Sequence, residues 1–411
     1  MRVVLYTGKG GVGKTSIAAS HALRSAGQGL RTVILSTDSA HSLSDCFDLG
    51  LGNEPRLIAP NLWGQELNIY QEIDKRFYQE RRWGEAANYL RELARWLGME
   101  EVVAEEVMVL PGVEEVSNLL YIRNYTEGVY KGNYDVIVVD CAPTGETLRL
   151  LSLPETFRWW MEKVYPFFKR ATLWSRPVLK STSHLPLPGE AKRFTKLPLP
   201  SDEVFRVGEE IFEEFRRVAS LLTDPRLTSV RLVLTPEKMV IDESRRTFTY
   251  LNLYGYLVDA IILNRLIPQE GSGEYFRRWR ENQEVNVQKI GEYFSPLPIL
   301  SSHLLPCEVV GKEMIEMLGR EVFSELDPDQ FFFQRKTQEI YKLDGYYTLS
   351  LTLPLVDRGN LSLKRDGEEI IAQVGCIRRN ILLPAFLSSL EIENARLDGD
   401  RLDIKFKRRQ K

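Results

Sequence analysis

The sequence predicts an α/β fold: a mostly parallel sheet covered by helices, followed by a smaller C-terminal all-β sandwich. Three observations lead there. Short apolar, β-branched runs alternate with helix-forming stretches through most of the 411 residues. The first such run enters a glycine-rich loop that opens a helix. Beyond Leu326 the apolar period changes to two.

Val3–Tyr6 reads as a buried strand, and Gly8-Lys9-Gly10-Gly11-Val12-Gly13-Lys14-Thr15 fits the pattern G-x-x-x-x-G-K-[ST]. Ser16–Ala26 has helix composition, with Ile17, Ala18, Ala22 and Leu23 spaced for one face. Glycines let successive N–H groups converge on one concavity, and the helix N-terminus adds its dipole, so the loop favours a polyanion. The expected triphosphate cradle is therefore Gly8, Lys9, Gly10, Gly11, Val12, Gly13, Lys14, Thr15 and Ser16. Lys14 is expected to reach the β- and γ-phosphates and the Thr15 hydroxyl to ligate Mg2+.

Further strands are expected at Thr32–Ser36, Val136–Val139, Arg231–Leu234, Ala260–Leu263 and, briefly, Pro298–Leu300. Helix-like segments include Trp83–Leu97, Val113–Tyr130, Asp202–Leu222 and Glu243–Leu253. Such alternation implies parallel strands with a ligand at their carboxyl ends. A boundary falls near Leu326–Asp329. After it Tyr347, Leu349, Leu351, Leu353 and Leu355 alternate with polar neighbours, and Asp366-Gly367 and Asp398-Gly399 are hairpin-type turns. The expected domains are residues 1–326, with helical insertions at about 75–130 and 155–225, and residues 327–411.

Composition is ordinary, with 43% hydrophobic and 27% charged residues and a net charge of −3, so no global basic field argues for nucleic acid. Met1-Arg2-Val3-Val4 enters the first strand directly, no apolar run approaches membrane-spanning length, and Cys46, Cys141, Cys307 and Cys376 are scattered. These features lead to an expected cytoplasmic location.

Two acids flank the loop. The second strand runs into Ser36-Thr37-Asp38, and an acid there can orient or activate a water. Asp38 takes that role, with Asp45 the weaker candidate and helix capping the alternative for Asp38. The third strand ends in Asp140, a position that suits Mg2+, directly or through water. It leads into Cys141–Thr147, where Gly145 supplies backbone freedom and the loop can change shape when a γ-phosphate leaves.

These motifs resemble the arsenite-pump ATPase family, and within it the ATPases that target tail-anchored membrane proteins. The resemblance rests on Gly8–Thr15 with the extra Lys9, on Ser36–Asp45, and on Asp140-x-Ala142-Pro143-Thr144-Gly145-x-Thr147 through Pro154, and it covers about Met1–Leu326. It implies a deviant P-loop fold, ATP and Mg2+ as cofactors, and a homodimer in which Lys9 crosses to the partner's nucleotide. It further implies that Asp38 activates the attacking water, so that Lys9, Lys14 and Asp38 are the catalytic set. By the same resemblance Asp140, Pro143, Thr144 and Gly145 belong to switch II, Glu237 and Asn264 contact nucleotide, and Pro306 lies in the adenine-side loop. Ser39 stands where the family usually has proline, and Glu146 where it usually has histidine. Arg278–Asn282 holds no cysteine where the animal and fungal members clamp their dimer with zinc, so no zinc is expected. One glycine loop and dispersed cysteines disfavour arsenite transport. The tail resembles the α-crystallin-like sandwich of small heat-shock proteins through Gly375–Pro384 and Ala395–Leu402.

The resemblance implies apolar protein clients, tail-anchored membrane proteins among them, with membrane contact only transient and no nucleic-acid partner. Two stripes could line a groove. One is Phe157, Trp160, Met161, Val164, Phe168 and Ala171, with Trp159, Tyr165, Phe167 and Trp174 beside it; the other is Trp83, Leu90, Leu93, Trp96, Leu97 and Met99, with Met108 and Leu110 beyond. Both could equally be buried helix faces. Leu179–Leu199 reads as a mobile loop. Two alternatives stay open: a holdase working through the C-terminal sandwich, and a metalloid-responsive ATPase.

Overall fold

The structure is a computed structural model that describes residues 1–38, 42–67, 88–89, 92, 96, 113–167, 169–172, 174, 198–269, 273–343 and 345–407. Its first strands and helices are β1 (Arg2–Thr7), α1 (Lys14–Gly27), β2 (Thr32–Ser36), α2 (Ser42–Phe47), β3 (Arg56–Ala59), β4 (Leu62–Glu66), α3 (Val113–Thr126) and β5 (Val136–Asp140). Then follow α4 (Thr144–Trp159), running into a π-helical turn at Trp160–Val164, α5 (Asp202–Leu222), β6 (Thr228–Leu234) and α6 (Lys238–Tyr254). The α/β part ends with β7 (Val258–Leu266), α7 (Arg277–Phe294), β8 (Ile299–His303) and α8 (Gly311–Phe323).

The eight strands form one sheet in the order β3-β4-β2-β5-β1-β6-β7-β8, parallel throughout except for the β3–β4 edge. Every residue of β1, β2, β5 and β6 is buried, which is why these strands carry near-continuous apolar stretches, while Thr228, Ser229 and Arg231 of β6 are buried with hydrogen-bond partners. Register places Asp140 opposite both Tyr6 and Ser36. The glycine loop after β1, the Asp38 segment after β2 and the end of β5 therefore meet at one carboxyl edge.

The sequence reading overlooked β4, because Gln65 and Glu66 make it look polar. Both are buried and partnered: Tyr125 donates to Gln65, and Glu66 Oε1 accepts from Leu43 N at 2.9 Å. It also overlooked α7 and α8. In α7 only Ile290 and Phe294 are buried, so most of its apolar signal is missing. Helix α8 buries Ile315, Leu318, Val322 and Phe323, and Gly319 lets it approach α1, where an added Cβ would lie 3.3 Å from Ser20 O.

The chain divides into two compact units: one of Met1–Leu67, Tyr125–Leu151 and Ser220–Lys411, and one of Asn68–Asn124 and Ser152–Ala219. In the second unit Met161, Tyr165 and Phe205 form a small core with Phe157 and Phe212 against it. Part of the first apolar stripe thus packs inside its own unit, while Phe167 and Trp174 are 76% and 83% exposed. The second stripe, apart from Trp96, and nearly all of Leu179–Leu199 lie outside the described residues.

The C-terminal strands are β9 (Gln338–Leu343), β10 (Tyr346–Thr352), β11 (Leu361–Asp366), β12 (Glu369–Val374) and β13 (Ile377–Leu382), followed after the short α9 (Ala385–Ser388) by β14 (Glu391–Asp398) and β15 (Arg401–Lys407). They form two antiparallel sheets, β14-β15-β10-β9 and β11-β12-β13, closed over Leu349, Leu351, Ile370, Ile381, Leu402 and Phe406. Gly367, at φ 57°, turns the β11–β12 hairpin, a conformation that side-chain-bearing residues resist. Leu253 of α6 belongs to the same core, and Thr249 Oγ1 donates to Pro354 O at 2.8 Å. The segment between α8 and β9 is no free tether: Phe331 stacks on Arg2 at 3.6 Å and Phe332 on Arg231 at 4.6 Å.

Candidate nucleotide site

The glycine loop is fixed by what surrounds it. A Cβ on Gly8 would lie 2.1 Å from Val233 O, closer than any real contact. Gly13 has φ 89°, and its added Cβ would meet Asn264 Nδ2 at 2.4 Å. Asn264 is itself held firmly. Its Nδ2 donates to Val12 O at 2.8 Å, and its Oδ1 accepts from Arg265 N at 2.9 Å and Ser302 Oγ at 2.7 Å. Arg265 Nη1 donates to Gly11 O at 2.8 Å. With two loop carbonyls turned towards β7, the trans peptides aim the N–H groups of Val12 and Gly13 the other way. Lys14 is 6% exposed, and its Nζ folds over the loop to within 3.5 Å of Lys9 O.

Beside the loop is a cavity of about 400 Å³. Gly10, Gly11, Gly13, Lys14, Thr15, Ser16, Asp38, Pro143 and Asn264 line it, so most of the expected residues come together. Its other wall is the segment from His303 to Val310, with Cys307 and Glu308 on the lining. Pro306 is exposed between the lining residues Leu305 and Cys307. Glu237 is the exposed N-cap residue of α6, where Thr235 Oγ1 donates to its Oε1 at 3.1 Å. Gly8, Lys9 and Val12 are not among the lining residues: Gly8 packs on β6, Val12 is buried, and the Lys9 side chain runs to α6, where its Nζ lies 3.9 Å from Glu243 Oε2.

Asp140 lies beneath the cavity, fully buried. Ser36 Oγ donates to its Oδ2 at 3.2 Å, while Oδ1 has no hydrogen-bond partner. Burial pushes its carboxyl up to about 7; the charge of Asp38 adds to this, and the Thr15 hydroxyl, the Lys14 ammonium and Ser36 oppose it. An orphaned carboxylate oxygen near hydroxyls is the donor set a hard divalent cation takes, and a cation there would hold the carboxyl ionised. The Thr15 and Ser42 hydroxyls are 3.0 Å apart at the same place. Cys46 and Cys141, inside these motifs, are buried, and burial pushes the Cys46 thiol up to about 12.

One sequence expectation changes. The stretch Cys141–Thr147 is a loop only as far as Pro143; Thr144 already begins α4, and Gly145 sits in its first turn with an ordinary negative φ. The reason is local. Thr144 N donates to Gly8 O at 3.2 Å, while Glu146 N and Thr147 N both donate to Pro143 O. Three residues of the site escaped the sequence reading, namely Arg265, Glu243 and Glu66. Each acts through a partner distant in sequence, so no local spacing marks them. Arg265 alone left a hint, as the cation next to Asn264.

Residues 1–324 match the model of the anion-transporting ATPases, and residues 344–406 match that of an HSP20-like domain found in ArsA. The chain belongs to the anion-transporting ATPase family. As a member of the ArsA-type ATPases it is a P-loop enzyme that hydrolyses ATP. It is 36% identical to a protein of Aquifex aeolicus provisionally named arsenical pump-driving ATPase 1, over 98% of this chain and 99% of that one. A Chlorobaculum tepidum protein with a similar provisional name is also 36% identical, over 99% and 96% of the two chains. An Entamoeba dispar protein named ATPase ASNA1 homolog is 29% identical over 76% of this ArsA-type ATPase and 90% of itself. Among the described residues no helix is long and apolar enough to cross a membrane.

Proposed function

We propose that this ATPase is a Mg2+-dependent homodimer that closes over ATP and couples binding and hydrolysis to holding and releasing apolar protein segments. The observation that carries the reading is the split between its two loop lysines. Lys14 lines its own cavity, whereas Lys9 reaches out to α6 and leaves that cavity to other groups. A lysine so placed in the phosphate loop serves a second subunit's phosphates better than its own.

In this reading backbone N–H groups from Gly10 to Lys14 bind the phosphates, and Lys14 swings from Lys9 O onto the β- and γ-phosphates. Asp38, half-buried on the cavity wall, orients the attacking water and accepts its proton. Thr15 and Asp140 would hold Mg2+, which supplies charge neutralisation for the phosphates when bound. Asn264 keeps one N–H of its amide for the base, Glu237 and Pro306 contact the nucleoside, and Thr144 and Gly145 form the segment that registers the γ-phosphate. Apolar clients fit the exposed Phe167 and Trp174 of the helical unit, and the motif resemblance of Gly8–Thr15, Ser36–Asp45 and Asp140–Pro154 is what points towards tail-anchored proteins among them.

Lys9→Ala and Asp38→Asn test the two halves separately. Asp38→Asn should lose turnover and keep ATP-driven dimerisation, whereas Lys9→Ala should lose both. Parental turnover in Asp38→Asn would remove that residue from catalysis. Affinity purification of Asp38→Asn with ATP should enrich polypeptides ending in a membrane helix; a broad set of unfolded soluble chains would indicate general chaperoning instead. The names of the bacterial relatives favour a second reading, stimulation by metalloid. An ATPase rate unchanged by arsenite or antimonite would remove it.

A further inference from the structure

Glu243 stands outside every motif discussed so far, yet it joins two of them. It lies in the second turn of α6, and its carboxylate is divided between two partners. Thr144 Oγ1, at the start of α4, donates to Oε1, and the Lys9 ammonium is 3.9 Å from Oε2. The Lys9 and Glu243 side chains are each about one-third exposed, at 32% and 29%. Thr144 is buried, and its N–H donates to Gly8 O, so it is tied to the loop that carries Lys9 as well as to Glu243.

We propose that Glu243 is a clasp: in the open, nucleotide-free subunit it parks Lys9 and fastens that lysine to Thr144, and ATP releases both. The clasp rests on the proposal that Lys9 serves a partner's nucleotide, since only a lysine that must travel needs a resting place. The chemistry supports reversibility. An ion pair one-third exposed is weak, because water screens it and both side chains lose freedom in making it. A triphosphate carries far more charge and outcompetes one carboxylate for the ammonium. The Thr144 hydroxyl has the same choice, and when it turns towards a γ-phosphate it leaves Oε1. Two motifs that share one carboxylate are coupled, because movement of either loosens the seat of the other. Glu243 is thus a positioning residue acting through Lys9 and Thr144, with no contact to the reacting atoms.

The test uses the full chain with Glu243→Gln, which keeps an acceptor for Thr144 and removes the charge beside Lys9. Amine labelling read by mass spectrometry on nucleotide-free protein reports Lys9 directly, with exposed Lys131 as the internal standard. Labelling of Lys9 should rise about 2- to 5-fold in Glu243→Gln, the range an exposed ion pair allows, with Lys131 unchanged. Sedimentation with a nonhydrolysable ATP analogue should show the variant dimerising at a severalfold lower analogue concentration. Equal Lys9 labelling in wild type and Glu243→Gln overturns the clasp, and so does dimerisation of the two at the same analogue concentration. If labelling responds and the wild type never dimerises with the analogue, Glu243 does hold Lys9, but the dimer reading fails and the release of Lys9 to a partner fails with it.

Discussion

At the amino edge of the parallel sheet, Asp259 is fully buried and its oxygens are well supplied with donors. Oδ1 accepts from Arg231 Nε at 3.2 Å, and Oδ2 accepts from Arg2 Nη2 at 3.3 Å and Phe332 N at 3.4 Å. At the carboxyl edge Asp140 is buried as deeply and keeps one oxygen without a donor. Two carboxylates on strands of one sheet therefore follow opposite rules. The first is neutralised by its own chain and holds the α8–β9 segment against the sheet. The second is left incomplete, which a protein tolerates where a ligand brings what is missing. At equal depth of burial, the supply of donors is what sets these two acids apart.

The largest expected effect breaks the amino-edge cluster. Arg231→Met leaves Asp259 buried and partly uncompensated and should cost about 3–5 kcal/mol of unfolding free energy. Turnover per folded molecule should survive, and denaturant melts with active-site titration would check both. Asp140→Asn is the mirror experiment. It should lower steady-state turnover by about 10²- to 10³-fold, as losing a preorganised charge does, without lowering the melting temperature, because a neutral amide costs less to bury. If Asp140→Asn destabilised as much as Arg231→Met, the two edges would not differ as argued.

A pH scan sharpens the comparison. Arg231 Nη1 donates to the Tyr6 hydroxyl at 3.0 Å, and Tyr6 lies 2.8 Å from His21 Nδ1. Arginine cannot accept, so the hydroxyl donates to Nδ1, and the proton of His21 sits on Nε2, directed at Asp329 Oδ1 at 2.8 Å. Burial pulls His21 below its ordinary value of 6.5 even with Asp329 opposing, and Arg231 and Arg2 add to the depression. The folded state therefore refuses a proton that the unfolded chain accepts. The His21 contribution to stability is full above pH 6.5 and falls as the pH drops below it, by at most about 1.4 kcal/mol per pH unit for one proton, while Asp140, raised to about 7, gives a slope of opposite sign over the same window. Asp329 is held below the ordinary carboxylate value, so its own contribution disappears only at lower pH. His21→Gln should remove the His21 slope between pH 6.5 and 5 in thermal melts.

The smallest effect concerns the sandwich. Thr249→Val removes the bond to Pro354 O and should cost about 1 kcal/mol, read in the same melts. A larger loss would mean that α6 holds the sandwich mainly through this bond, with Leu253 contributing little.

Much of the α/β domain was readable from residues alone. Strands buried on both faces are mostly apolar, as β1, β2 and β5 are, whereas β6 showed only through its Leu232–Leu234 end because it also buries Thr228, Ser229 and Arg231. The glycine loop was readable for a different reason, since close backbone approach at Gly8 admits no side chain. Strand β4 was not readable, because Gln65 and Glu66 are buried through bonds to Tyr125 and to the start of α2, which lie far away or on another element. Nor was the helical start at Thr144, where Gly145 suggested a turn and the hydrogen bonds of Pro143 O and Gly8 O decided otherwise.

What the sequence determined by itself was the central parallel strands, the phosphate-type loop, the acids at two strand ends and the period-two tail, because each is a local pattern of residue size, polarity and backbone freedom. Only the tertiary structure decided which polar groups would be completed and which left open. It gave Asp259 its donors, left Asp140 short of one and divided Glu243 between Lys9 and Thr144. The physical reason is that a buried charge is governed by its neighbours in space, and those neighbours come from strands and helices that the chain brings together only on folding.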